Sequence, residues 1–255
     1  KLYDDIDKNL KNPKFPYAEG PRDYQKIAFD NWKNNNQQGL FAMATGTGKT
    51  ITSLNCLLEV YKKTGYYKAL ILVPTITLVN QWENECKKFN FTNIVKVCSK
   101  SRWKNDFASI LTRERLSPTE QVSYIVISTY ASFARENIFS ELNQLPAKTL
   151  LIADECHNMG SGSLLKLLPK VNCKRRIGLS ATPERQFDEE GNKKLFSFFN
   201  SEKEYTYEYS MEEAINNGVL CRYYYYPHLV SLTESEMRDY MELSLKISKF
   251  YKSES

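Results

Sequence analysis

Leu40-Phe41-Ala42-Met43-Ala44-Thr45-Gly46-Thr47-Gly48-Lys49-Thr50 decides the fold class of this chain. The apolar run Leu40–Ala44 has strand length, and after the glycines Ile51, Leu54, Leu58 and Tyr61 recur at helical spacing. A strand, a glycine turn and a helix are the context that a phosphate-binding loop requires. Gly46 and Gly48 let the backbone curl, so that N–H groups from Thr45 through Thr47 to Thr50 point at phosphate oxygens. The helix N-terminus adds the positive end of its dipole. Lys49 would neutralise the β/γ-phosphates, and Thr50 would place a hydroxyl on Mg²⁺. The strict G-x-x-x-x-G-K-[ST] pattern has glycine where this chain has Met43, so an ordinary glycine turn before a helix stays open on this segment alone.

Outward from the loop, apolar runs alternate with helical stretches. The strand expectations are Leu40–Ala44, Ala69–Val73, Ile94–Cys98, Tyr124–Ser128, Thr149–Ala153 and Arg176–Ser180. Helical faces are formed by Tyr24, Ala28 and Trp32, by Leu78, Trp82, Cys86 and Phe89, and by Trp103, Phe107, Ile110 and Leu111. Continuous rather than alternating apolar strands, separated by helices, predict an α/β fold with a mostly parallel, doubly wound sheet buried on both faces. Trp82 lies on its helix stripe and is expected in the core. After Pro183 the texture changes: Glu184–Lys194 is polar and expected as a mobile loop, and Tyr205–Tyr209 alternates like a strand. Ser210 with Glu213 forms a capping box for a short helix that Gly218 closes. Leu220–Leu232 is strand-like and tyrosine-rich, and Thr233 with Glu236 caps a last helix striped by Tyr240, Leu243, Ile247 and Phe250.

Composition bounds the function classes. The 255 residues can hide roughly 70–75% of their unfolded surface. Hydrophobic residues make up 42% and charged residues 25%, as in globular proteins, and the longest apolar runs are far too short for a membrane span. A net charge of +5 is compatible with a nucleic-acid partner without demanding one. Six cysteines without a CxxC pair fit neither a zinc site nor a disulfide framework and favour reduced thiols, hence a cytoplasmic location. No signal peptide is expected in the polar, proline-bearing residues 1–21, which read as an arm over the surface; opening on Lys1 rather than Met reads as an excerpt of a longer chain.

Two more polar clusters leave apolar runs. Asp154-Glu155-Cys156-His157 follows Thr149–Ala153. A nucleotide-bound Mg²⁺ needs a carboxylate in its coordination sphere, which suits Asp154, and Glu155 is placed to orient an attacking water. Leu179-Ser180-Ala181-Thr182-Pro183 ends the next run, with hydroxyls able to bond the 154–157 loop. Upstream, Arg22-Asp23-Tyr24-Gln25 opens a helix, and the Gln25 amide matches the donor and acceptor of the adenine edge. Each has a plain reading: a solvated acidic pair, a strand-to-turn junction, an exposed helix start. Three polar motifs at the carboxyl ends of buried strands, however, sit where open α/β sheets bind ligands. Lys100, Arg102, Lys104, Arg113 and Arg115 form a basic stretch that either tracks phosphates or is a solvated helix face.

In this order the segments resemble the first motor domain of superfamily 2 helicases and translocases of the DExH type. Arg22–Gln25 is similar to the Q motif, Met43–Thr50 to motif I, Val73-Pro74-Thr75 with Leu78, Gln81 and Trp82 to motif Ia, Ser128-Thr129-Tyr130 to motif Ib, Asp154–His157 to motif II and Ser180–Thr182 to motif III. From Gly178 through Glu213 to Leu220 the chain is similar to the branch of restriction-enzyme motor subunits, type III res-like, and XPB-like translocases; the resemblance covers about residues 20–235. Met43 is common in that branch, and Cys156 stands where many relatives have Ala.

The resemblance implies a RecA-like P-loop NTPase domain that hydrolyses ATP with Mg²⁺ when nucleic acid is bound. Lys49, Asp154 and Glu155 would be catalytic, with Thr50 and Asp154 on the metal. Arg22, Gln25 and the Thr45–Thr50 loop would bind nucleotide. His157, Ser180 and Thr182 would couple the ATP site to nucleic acid, which Thr75, Thr129, Lys100 and Arg102 would contact. The expected organisation is an arm over 1–21, the RecA-like domain over 22–220, and a connector over 221–255 leading into a second RecA-like domain of a longer chain. DNA is the expected nucleic acid, in restriction or repair, with a nuclease or methyltransferase subunit as a further partner. A nucleotide-gated clamp without motor work, an RNA-directed helicase and a different P-loop enzyme such as a small-molecule kinase are the alternatives.

Overall fold

A computed structural model describes residues 12–99, 101–117, 121–186, 188–202 and 204–253. The chain divides into one unit that runs through Leu220 and a second from Cys221 onward.

The first unit is built on seven strands: β1 (Gln38–Met43), β2 (Lys68–Val73), β3 (Ile94–Val97), β4 (Tyr124–Thr129), β5 (Leu150–Asp154), β6 (Arg175–Ser180) and β7 (Tyr207–Tyr209). Their order across the sheet is β3-β4-β2-β5-β6-β1-β7, and every pairing is parallel. The intervening helices are α1 (Asp23–Asn34), α2 (Lys49–Thr64), α3 (Ile76–Lys88), α4 (Lys104–Leu116), α5 (Tyr130–Phe133), α6 (Glu136–Leu142), α7 (Gly162–Leu165), α8 (Glu189–Phe198) and α9 (Met211–Asn216). Alternate strand residues feed two cores. Phe41, Met43, Ile71 and Ile152 pack with Trp32, Leu54 and Trp82 of α1–α3, whereas Leu40, Leu70, Leu72 and Leu151 pack with Phe107, Phe139 and Leu195 of the other face. Both faces are dry, so the strands carry no polar alternation.

Two local expectations are corrected. The polar stretch Glu184–Lys194 runs into helix α8, not a mobile loop: Asp188 accepts from the Gly191 N–H at 2.9 Å, and Leu195 and Phe198 are buried. Its polar residues are the cap and the solvent face of an amphipathic helix whose apolar anchors come last. Leu220–Leu232 is not a strand; the second unit has no regular secondary structure over 221–233 and holds one helix, α10 (Glu234–Ser253). A strand needs a pairing partner, and the described residues of this unit form no second strand. The expected Thr233–Glu236 box does close α10, with the Thr233 N–H 2.8 Å from Glu236 Oε2.

Among the described residues, one ion pair is fully inside. Lys68 Nζ lies 2.7 and 2.8 Å from the two carboxylate oxygens of Glu114, with side chains 1% and 8% exposed. Glu114→Ala strands the ammonium and is expected to cost about 3–5 kcal/mol in urea unfolding, while the joint Lys68→Met, Glu114→Leu variant should come close to wild type. A small cost for Glu114→Ala would mean that the pair is solvated.

Candidate functional site: a glycine loop and acidic pair at one sheet edge

Because all strands are parallel, the chain leaves each of them at the same edge. Along that edge lie, in order, Thr129 at the end of β4, Thr75 after β2, Asp154 at the end of β5, Ser180 at the end of β6 and the 43–50 loop after β1. Register brings Asp154 opposite Leu179 and Ser180 opposite Ala42. Five of the predicted segments therefore become neighbours although more than a hundred residues separate the first from the last.

The loop is shaped by two left-handed glycines, Gly46 at φ 85° and Gly48 at φ 83°. At these values a side chain is strained, and a Cβ on Gly46 would sit 3.1 Å from Leu220 Cδ2. Thr47 is nearly inaccessible and acts as the loop's internal staple: its hydroxyl donates to the Ala44 carbonyl at 2.6 Å, and its own carbonyl accepts from the Tyr24 hydroxyl at 2.6 Å. Tyr24 in turn stacks on Tyr209 with centroids 4.4 Å apart, and the Tyr209 carbonyl accepts from the Ala44 N–H at 2.9 Å. Lys49 Nζ donates to the Met43 carbonyl at 3.2 Å, spanning the loop's mouth. Thr45 is exposed, and Lys49 and Thr50 are half-buried at the first turn of α2.

A cleft of about 350 Å³ adjoins the loop, lined by Arg22, Tyr24, Gln25, Gly46, Gly48 and Ile51 together with Phe15 and Tyr17. Gln25 is buried, and its Oε1 accepts from the Arg22 N–H at 3.0 Å, so one amide oxygen position is committed to starting α1. Phe15 and Tyr17 lie in the stretch that the sequence marks only as an arm. Phe15 packs edge-on against Phe89 at 5.4 Å, and the Lys14 N–H donates to the Phe89 carbonyl, which fixes residues 12–21 beside the cleft. Aromatic residues between prolines were the only signal for this.

On the acidic side, Asp154 is 8% exposed. Burial holds its carboxyl above the usual carboxylate range, against the pull of a hydrogen bond from Trp82 and the charge of Lys49. Trp82 Nε1 donates to Asp154 Oδ2 at 2.8 Å, the Glu155 N–H donates to Oδ1 at 3.1 Å, and the Tyr130 hydroxyl donates to the Asp154 carbonyl at 2.8 Å. Glu155 adopts φ 48°, ψ 56°, a left-handed conformation costing about 1–3 kcal/mol for a residue with a side chain. The Asn158 N–H and side-chain amide both donate to the Glu155 carbonyl, at 3.0 and 2.8 Å, and hold this bend. The Glu155 carboxylate accepts from Ser180 Oγ at 3.3 Å, and Ser180 Oγ lies 3.1 Å from His157 Nδ1. The exposed Thr182 donates its N–H to the same Ser180 oxygen at 3.1 Å.

The nucleic-acid candidates are not equivalent. Thr75 caps α3, accepting from the Leu78 N–H at 3.3 Å, and is exposed. Thr129 is buried, with its hydroxyl committed to Ser132 as the cap of α5. Arg102, Lys104, Arg113 and Arg115 are exposed on or beside α4, on the solvent side of a helix that buries Phe107 and Ile110. Lys100 lies outside the described residues.

The donor set fits a Mg²⁺–nucleotide. The Thr50 hydroxyl and the Asp154 carboxylate are hard oxygen ligands, and the described residues hold no group of three or more His, Cys, Asp or Glu around one point. A metal here would take its remaining ligands from phosphate and water, as Mg²⁺ does.

The fold and the order of these segments define the first RecA-like domain of a superfamily 2 helicase or translocase. Within that class the chain belongs to the family of the type III restriction enzyme, res subunit, whose profile matches residues 19–185. It is 27% identical over 233 residues to the "DNA 3'-5' translocase XPB2" of Sulfurisphaera tokodaii, covering 91% of this chain and 45% of that protein. It is 30% identical over 159 residues to "Putative helicase 109L" of Invertebrate iridescent virus 3, covering 61% of this chain and 41% of the relative. The chain thus spans less than half the length of these relatives. Among solved structures, the type ISP restriction-modification enzyme LlaGI with a DNA substrate mimic shares the fold at TM-score 0.58 and 24% identity, over 78% of this chain and 20% of that one. The Pyrococcus furiosus Hef helicase domain shares it at TM-score 0.55 and 20% identity, over 74% and 38%.

The raised Asp154 carboxyl fixes the sign of a pH effect. The native state holds this proton to higher pH than the unfolded chain, so stability falls as pH rises from about 3.8 through the folded value, and the ionised group is a net cost at neutral pH. Asp154→Asn, which cannot ionise at this position, is therefore expected to lose this dependence: in nucleotide-free buffer its melting temperature should gain on that of the wild type as pH rises from about 3.8 to 7. A difference between the two that stays constant over that range would contradict this.

Proposed function

We propose that this chain is the N-terminal motor domain of an ATP-dependent DNA helicase or translocase, binding ATP–Mg²⁺ and hydrolysing it in response to nucleic acid. The observation that carries this reading is the juxtaposition along one sheet edge of the glycine loop with Lys49, the Asp154–Glu155 pair and the Ser180–His157 contact. In this reading the loop amides and Lys49 bind the phosphates, Arg22 and Gln25 sit at the base, and Thr50 and Asp154 hold the metal. When bound, Mg²⁺ draws charge from the phosphate oxygens. Glu155 orients the attacking water and takes its proton, held for that task by Ser180. His157 and Thr182, both bonded to Ser180 Oγ, tie the position of Glu155 to the surface at which Thr75 would meet a sugar-phosphate backbone.

The relatives' names supply the finer points of the proposal. A DNA translocase among them favours DNA, and a restriction-modification enzyme among the structural neighbours favours a motor working beside nuclease or methyltransferase functions in restriction, with repair as the other setting. Six cysteines with no disulfide between them suit a cytoplasmic location, and no described helix is long and apolar enough to cross a membrane. A second RecA-like domain would complete the motor and supply the transition-state cation, typically worth about 10³–10⁵ in rate. The 255-residue chain by itself is accordingly expected to bind ATP–Mg²⁺ and to turn it over slowly.

Steady-state ATPase tests this on the longest native chain that contains the segment, with duplex DNA, single-stranded DNA or RNA added. Stimulation by DNA that Lys49→Ala removes together with nucleotide binding, and that Glu155→Gln lowers about 10²–10⁴-fold with binding retained, is the expected result. Nucleotide binding that no nucleic acid accelerates would favour the gated clamp. Stimulation by RNA alone would favour an RNA-directed enzyme, and phosphoryl transfer to a metabolite a kinase.

A further inference from the structure

Trp82 lies on its helix stripe and fills the core at 1% exposure. Packing alone does not explain its N–H. A buried indole must bond its N–H to some acceptor. Trp32, equally buried, uses a backbone carbonyl, that of Arg176 at 2.9 Å. Trp82 instead donates to a carboxylate oxygen of Asp154 at 2.8 Å. A carboxylate offers roughly four lone-pair positions. Trp82 takes one and the Glu155 N–H another, which leaves an oxygen lone pair on each side for a cation. The Tyr130 hydroxyl holds the residue's own carbonyl, so side chains from two neighbouring segments fix Asp154 at both its backbone and its carboxylate.

The indole also has a mechanical address. It projects from α3, seven residues beyond the exposed N-cap Thr75, which is two helical turns or about 10 Å along one rigid rod. A ligand that shifts the N-terminus of α3 moves the donor of this hydrogen bond.

We propose that Trp82 is a positioning residue that ties the Asp154 carboxylate to helix α3, so that nucleic acid seated at the N-terminal cap of that helix acts on the metal-holding oxygen through the indole. This rests on the motor reading above, and the experiment separates the two. The three tryptophans, Trp32, Trp82 and Trp103, give three indole N–H signals in a ¹⁵N–¹H spectrum, assigned with Trp32→Phe and Trp103→Phe even if Trp82→Phe folds poorly. The signal of Trp82 should move on adding a non-hydrolysable ATP analogue with Mg²⁺, and again on adding short duplex DNA, while that of Trp32 stays in place. In parallel, Trp82→Phe should raise the Mg²⁺ concentration needed for half-maximal binding of a fluorescent ATP analogue about tenfold, the usual effect of losing a partner of a metal ligand. Trp32→Phe, which loses a comparable buried hydrogen bond, should leave it unchanged.

An unmoved Trp82 signal with analogue bound, or an unchanged Mg²⁺ requirement in folded Trp82→Phe, overturns the positioning role. A signal that follows nucleotide but ignores bound DNA overturns the link through α3. If the wild-type chain binds no nucleotide at any Mg²⁺ concentration, the motor reading itself falls, and this inference with it.

Discussion

Parallel pairing is the constraint on which everything else in this chain depends. Seven strands running in one direction must all end at one edge, and each connection must return over a face of the sheet. The polar residues that follow β1, β2, β4, β5 and β6 are thereby collected on one line without any contact in sequence. The same connections cover both faces, which dries the strands and leaves Asp154 to emerge from an apolar interior with little water around it.

That emergence sets the chemistry. A carboxylate drawn out of water is costly unless hydrogen bonds or a cation compensate it. Here Trp82 and the Glu155 amide supply part of the compensation, and a Mg²⁺ between Asp154 and Thr50 would supply the rest. The next residue carries a different cost. Glu155 bends into the left-handed region, with Asn158 bracing its carbonyl, and that bend turns its carboxylate away from the strand toward Ser180 and His157. Two adjacent acids thus receive different environments, one buried and rigidly held, the other at the surface within a hydroxyl–imidazole contact. This division suits one for a metal and the other for a water.

Much of this was legible in the sequence. The runs Ala69–Val73, Tyr124–Ser128 and Arg176–Ser180 fall within a residue of β2, β4 and β6, because a strand buried on both faces has nothing to write but apolar residues. The glycine loop, the acidic pair and the hydroxyls at 180–182 were visible because phosphate, metal and water chemistry leave few alternatives in residue type. What escaped was what depends on partners far along the chain. The polar start of α8 looks like a loop until Leu195 and Phe198 find the core. The tyrosine-rich stretch Leu220–Leu232 reads as a strand, yet residues 221–233 carry no regular secondary structure. Trp82 sits on a helical stripe that accounts for its burial in full, so periodicity could not disclose that its N–H reaches a carboxylate 72 residues away. Thr129 shows the reverse: a hydroxyl at the end of a strand invites a surface role, yet its side chain caps α5 from inside.

The central claim is that this sheet edge holds a Mg²⁺–nucleotide between the glycine loop and Asp154. A crystal structure of the chain with a non-hydrolysable ATP analogue and Mn²⁺ in place of Mg²⁺ tests it most directly, through the anomalous scattering of the metal. The account predicts one strong anomalous peak within bonding distance of the Thr50 hydroxyl, at or one water from the Asp154 carboxylate, with the phosphates wrapped by residues 45–50. Analogue bound elsewhere, or a metal held away from both residues, would contradict it.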